Sequence, residues 1–195
     1  MADWKAELVW LAPTDPRNPF DFEALDCRSA CAAFSRAGAP DANALAVAEI
    51  ETLALRFEPE MEPVDAIVTA CALAIEYPAG APLFAPRGPG HRWSLQIEDH
   101  RILARRSWTG QTIHAADFRI MDGHLLVNRL VSDRHAVYDD PSYAVTEFEF
   151  LLNSYVARKL WAFPVPPTLR REDRVQIAVS GWTAHGPIAA FARMA

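Results

Sequence analysis

The chain has 195 residues, half of them apolar, and a net charge of −6. That length suits one domain with a sizeable core, and the acidic balance disfavours a general nucleic-acid binder, whose affinity comes largely from neutralising phosphates. No basic segment followed by an apolar run opens the sequence, no apolar run approaches the ~20 residues of a membrane span, and the three cysteines are an odd number, so the expectation is a soluble, cytoplasmic, single domain over 1–195 with free thiols and no membrane association.

Pro13, Pro16 and Pro19 make residues 4–20 an extended, turn-rich lead-in, because proline removes donors and blocks helix. A helix follows within residues 21–37, with Cys27, Ala30, Cys31 and Phe34 as its apolar stripe and Gly38 at its end. Residues 41–57 are rich in Ala and Glu behind Asp41 or Asn43 as a cap and read as helix. In residues 64–77 the second half alternates as a strand, and the four prolines and three glycines of residues 78–90 make a loop.

The middle of the chain has period 2. Trp93, Leu95 and Ile97 form one strand and residues 102–108 return from a turn at Glu98-Asp99-His100-Arg101. Ser107-Trp108-Thr109-Gly110 reads as a corner. Residues 112–120 and 125–131 flank Asp122-Gly123, a dipeptide that accepts the positive φ of a type I′ turn. Asp140-Pro141 opens a helix expected to reach about Ala162, with Ala144, Phe148, Leu151, Leu152 and Tyr155 as its stripe and Pro164, Pro166 and Pro167 beyond it. Residues 170–182 read as a final helix, with a strand at 175–179 as the competing reading. The fold class is therefore α+β: an antiparallel meander of four to five strands covered on one face by helices.

Turn position sets hairpin register. A turn centred on Asp99-His100 places Ile97 opposite Ile102, Leu95 opposite Ala104 and Trp93 opposite Arg106. A turn centred on Asp122-Gly123 places Ile120 opposite Leu125, Phe118 opposite Val127, Ala116 opposite Arg129 and His114 opposite Val131. Both faces are apolar near the turn and polar at the far end. Arg106, His114 and Arg129 then meet on the helix-covered face beside Trp93 and Trp108, a set able to hold a phosphate or carboxylate with guanidinium forks against indole walls. The architectural alternative stays open: Arg106 stacking on Trp93, Arg129 pairing with Glu147 or Glu149, and His114 satisfied at the sheet end.

Other signals are weaker. Cys27 and Cys31 lie on an apolar stripe and read as core thiols rather than zinc ligands or a nucleophile. Five of the six histidines lie between His91 and His135, yet His100 and His124 fall at turns. Ser180-Gly181 lacks the Gly-x-Ser-x-Gly elbow, and Gly88-Pro89-Gly90 lacks a Walker lysine. No metal and no cofactor is expected. Asn18-Pro19-Phe20 reads as an anchor of the lead-in or as a short recognition motif.

At Arg106-Ser107-Trp108-Thr109-Gly110, in the strands of residues 92–105, and at Asn18-Pro19-Phe20 and Leu25-Asp26-Cys27, the chain resembles a group of uncharacterised bacterial proteins. The resemblance implies a bacterial source and transfers no catalytic residues. The functional expectation is a non-enzymatic binding protein, an accessory or immunity-type partner of another protein. The alternative is a small enzyme or sensor for an anionic ligand at Arg106, His114 and Arg129.

Overall fold

The computed structural model describes residues 4–36, 65–77, 83–88 and 90–194; the helix expected at 41–57 lies outside them. Among the described residues the chain is α+β, with two sheets of four and five strands and three α-helices.

The meander is built from its turns. Asp122 and Gly123 take φ of +50° and +80°, and Asp99 and His100 take +44° and +65°, the left-handed pair that matches strand twist. β4 (Trp93–Glu98) pairs with β5 (Arg101–Arg106) in the expected register, Trp93 opposite Arg106. β6 (Thr112–Met121) pairs with β7 (His124–Asp133), again with Ile120 opposite Leu125 and Phe118 opposite Val127.

Beyond Val127 the register departs from expectation. Asp117 opposes Arg129, Ala116 opposes Leu130 and His114 opposes Ser132, which leaves Asn128 as an inserted residue in β7. This β-bulge turns Asn128 and Arg129 both to solvent and carries Leu130 into the core. Arg129 is therefore not on the helix-covered face, and Ser132 rather than Val131 meets His114.

β3 (Ala66–Glu76) completes the sheet order β3-β7-β6-β5-β4 and spans the whole stretch of which only half reads as strand from periodicity. Ile67, Cys71 and Ile75 are buried, while Val68, Ala70, Ala72 and Ala74 face out; alanines on the outer face blur the alternation.

α1 (Arg28–Arg36) buries Ala30 and Cys31 as its stripe requires. α2 (Pro141–Leu151) begins where Asp140 Oδ1 accepts from the Ser142 and Tyr143 amides at 2.9 and 3.1 Å, and packs on β3. It widens into one π-helical turn, Leu152–Val156, and stops short of the expected Ala162. Arg158 takes φ +54° just past this turn, and Phe163–Pro164 (β8) then lies beside β9 (Phe191–Arg193).

The final helix, α3 (Arg174–His185), is the helical alternative for this region; Ile177, Ala178, Gly181 and His185 are its buried side. Gly181 lies under the Phe163 ring, where a Cβ would meet ring carbons at 2.1–2.7 Å. Gly181→Ala is expected to cost about 1–3 kcal/mol in urea denaturation, recovered in part by pairing it with Phe163→Leu. An unchanged denaturation midpoint in the single variant would contradict this close packing.

The second sheet has order β1-β2-β9-β8, with β1 Val9–Leu11 and β2 Ala24–Asp26. Asn18 is its clamp: Nδ2 donates to the carbonyls of Leu11, Ala12 and Phe22, and Oδ1 accepts from Phe20. Phe20 packs on Phe22, Trp161 and Phe191, so the Asn18-Pro19-Phe20 piece anchors the lead-in. No helix among the described residues is long and apolar enough to cross a membrane.

Candidate functional site

Arg106 ends β5 on the covered face, with its guanidinium 3.8 Å above the Trp93 ring and Nη1 donating to the Ala184 carbonyl at 2.8 Å. Trp93 is fully buried, and its Nε1–H reaches the same carbonyl at 2.9 Å and His185 Nδ1 at 3.2 Å. Accepting that hydrogen bond makes Nδ1 the bare nitrogen of His185 and puts its proton on Nε2, which faces Glu147 Oε1 at 3.8 Å. Burial pushes His185 down to about 3, so the imidazole is neutral.

Glu147 comes from the middle of α2. Its Oε2 lies 3.2 Å from His114 Nε2, and His114 Nδ1 lies 2.8 Å from Ser132 Oγ. With His114 Nε2–H donated to the carboxylate, Nδ1 accepts from the serine hydroxyl. Burial alone would raise Glu147; the His114 hydrogen bond and the Arg106 charge outweigh it and hold the carboxyl below its ordinary range. Arg106 Nη2 stands 3.8 Å from Oε1, an oxygen with no hydrogen bond. Burial and the neighbouring Glu147 push the Tyr143 phenol well up, so it remains a neutral hydroxyl.

Serine, histidine and carboxylate in a row imitate a hydrolytic set. Yet Ser132, His114 and Glu147 are at most 1% exposed, and neither Ser132 nor His114 lines the neighbouring cleft at Arg106. A nucleophile must reach a substrate carbonyl, and this one does not. The network is an internal support, in which α2, α3 and the bulged hairpin are tied to one carboxylate.

A cleft of about 330 Å³ opens beside it, walled by Arg106, Trp108, Tyr138, Tyr143, Ser180 and His185. Trp108 is 42% exposed, with the Arg92 and Arg106 guanidiniums 5.7 and 5.6 Å from its ring centroid. Its corner is held by Gly110 at φ +73°, by Gly110 N–H on the Arg106 carbonyl and by Ser107 Oγ–H on the His91 carbonyl. Arg92 Nε is buried without a hydrogen bond.

Of the five residues singled out from sequence, Trp93, Arg106 and His114 come together and Trp108 stands at the cleft mouth. Arg129 does not join them. It is half exposed on the opposite face and pairs with Asp117 at 3.4 Å, because of the Asn128 bulge. Its alternative partners are engaged elsewhere: Glu147 with His114 and Arg106, and Glu149 with Arg193 at 2.8 Å.

His185, Arg92 and Tyr138 belong to this region and have no place among the residues singled out from sequence, where Glu147 stands only as a partner for Arg129. Glu147 did leave a trace, since it stands three residues after Ala144 and four before Leu151, on an apolar stripe where a carboxylate must be paired. The thiols of Cys27, Cys31 and Cys71 are buried and pushed up by burial, the environment of inert core cysteines. Among the described residues no group of three His, Cys, Asp or Glu side chains is placed to hold a metal. No family model, no curated protein and no solved structure matches the chain.

Proposed function

We propose that this chain is a non-enzymatic binding protein that holds a carboxylate- or phosphate-bearing group in the cleft beside Arg106. One observation carries the reading: Arg106 lines the cleft beside the half-exposed Trp108, whose ring also has the Arg92 guanidinium near it, whereas Ser132, His114 and Glu147 are sealed behind the cleft. Guanidiniums beside an apolar wall suit an anion, and a sealed relay favours binding over turnover. Nothing in the reading asks for a cofactor.

Arg106→Met is expected to weaken binding of such an anion at least tenfold, since a charge-assisted hydrogen bond is worth about 1.5–3 kcal/mol and each tenfold is about 1.4 kcal/mol. Thermal-shift titration with phosphate, citrate and phosphorylated metabolites reads the effect, because a ligand selective for the native state raises its stability. Arg129→Met, on the far face, leaves the shift unchanged. Equal shifts in wild type and Arg106→Met would sink the proposal.

A second reading, an accessory or immunity-type partner of another protein in a bacterial cytoplasm, is favoured by β3. This edge strand turns Val68, Ala70, Ala72 and Ala74 outward in one row, and Val68 is 58% exposed.

A further inference from the structure

We infer that the anionic group taken by the cleft is carried on a flat aromatic ring, and that Tyr138 selects for that ring; this rests on the cleft beside Arg106 being the binding site. Tyr138 lies in the connection from β7 to α2. It takes φ +60° and the next residue, Asp139, takes +57°. Left-handed backbone disfavours any residue with a Cβ, and an aromatic more than Asn or Asp.

The loop enforces this conformation. Val137 N–H bonds the Asp133 carbonyl at 3.1 Å, Asp139 N–H the Arg134 carbonyl at 2.8 Å and Asp140 N–H the Val137 carbonyl at 3.0 Å. Asp133 Oδ1 also accepts from Ala136 N–H at 2.9 Å. Strain over-determined in this way gathers at ligand sites, where it presents a side chain.

The loop does not need the tyrosine as its core anchor. Val137, one residue earlier, is fully buried and fills that role. Tyr138 is instead 44% exposed, set edge-on to Tyr143 with ring centroids 5.1 Å apart, and it lines the cleft. Trp108, the other half-exposed aromatic of the same cleft, stands on its arginine side. Two aromatic surfaces left partly in water, with a guanidinium between the cleft and the core, suit a planar ring that covers them while its anion meets Arg106. The volume of about 330 Å³ accommodates a ring with one charged group.

Matched probes test this by calorimetric titration: adenosine 5′-monophosphate against ribose 5-phosphate, and 2-naphthoate against cyclohexanecarboxylate. The aromatic member of at least one pair is expected to bind ten times more tightly than its mate, and the pair that does so tells phosphate from carboxylate. Tyr138→Gly keeps the backbone, because glycine takes positive φ freely. It is expected to hold its Tm within a few degrees, to bind the non-aromatic mate as before and to lose the tenfold preference. If the glycine variant melts far below wild type, Tyr138→Asn, which tolerates the same backbone, replaces it. Equal binding of ring and non-ring probes overturns the ring inference and leaves the anion reading standing. Failure of all four probes to bind overturns the anion reading itself. A preference that survives loss of the Tyr138 ring overturns the role of Tyr138.

Discussion

Urea denaturation across a pH series will show the folded state losing on the order of 4 kcal/mol between pH 6.5 and pH 3, and His185→Gln will remove most of that slope. His185 sits against the rings of Phe150, Phe163 and Trp93 and is 1% exposed although it borders the cleft, so an imidazolium there would be almost stripped of its hydration. Protonating Nδ1 would also break the bond it accepts from Trp93. Glu147 favours the charged form, but its oxygens are already set against His114 and Arg106. Folded His185 titrates at about 3 and the unfolded imidazole near 6.5. Between those values the unfolded chain binds a proton that the folded chain refuses. The stability is complete above 6.5 and is lost as pH falls toward 3. Glu147, also depressed, adds a loss only below the ordinary carboxylate range. Gln at 185 can accept from Trp93 without titrating. A wild-type midpoint that stays flat from pH 6.5 to 4.5 would refute the buried neutral imidazole.

Glu147→Ala is expected to cost about 3–5 kcal/mol at pH 7, the usual price of leaving a charge half buried without its partner. The variant strands His114 Nε2–H without an acceptor and Arg106 without its counter-charge, although Arg106 keeps the Ala184 carbonyl. Glu147→Gln restores an acceptor for His114 and is expected to cost less than half as much. The double change Glu147→Leu with Arg106→Met removes both charges and is expected to be more stable than Glu147→Ala alone. Equal stability of wild type and Glu147→Ala in urea would show that the carboxylate ties nothing together.

The hairpins were readable because their turns announce themselves. Asp122-Gly123 and Asp99-His100 take left-handed backbone, and the register that follows placed Trp93 against Arg106. Asp140-Pro141 and the stripe from Ala144 to Tyr155 defined α2 in the same way. The bulge was hidden because Leu125-Leu126-Val127-Asn128-Arg129-Leu130-Val131 holds apolar residues on both parities. Two adjacent polar residues, Asn128 and Arg129, were its trace. The second sheet was hidden because strands of two or three residues are too short to display a period. His185 joined the site through tertiary packing alone, from a helix whose position no local pattern supplies. The same insertion that expelled Arg129 from the site brought Ser132 to His114, so one unread residue accounts for both the error and the network.

The small sheet has a kinetic consequence. Its N-terminal half, β1 paired to β2, joins β9 through β2 only after a very long loop has closed: Arg174 Nη1 bonds the Leu8 carbonyl across 166 residues, and Trp10 Nε1 the Arg171 carbonyl across 161. The meander from β4 to β7 closes through two turns of two residues and one corner of five. Local hairpins form on the order of 1–10 μs, whereas contacts of high sequence separation repay their closure entropy last. The meander is therefore the early structure, and the small sheet is the clasp that sets the pace of folding.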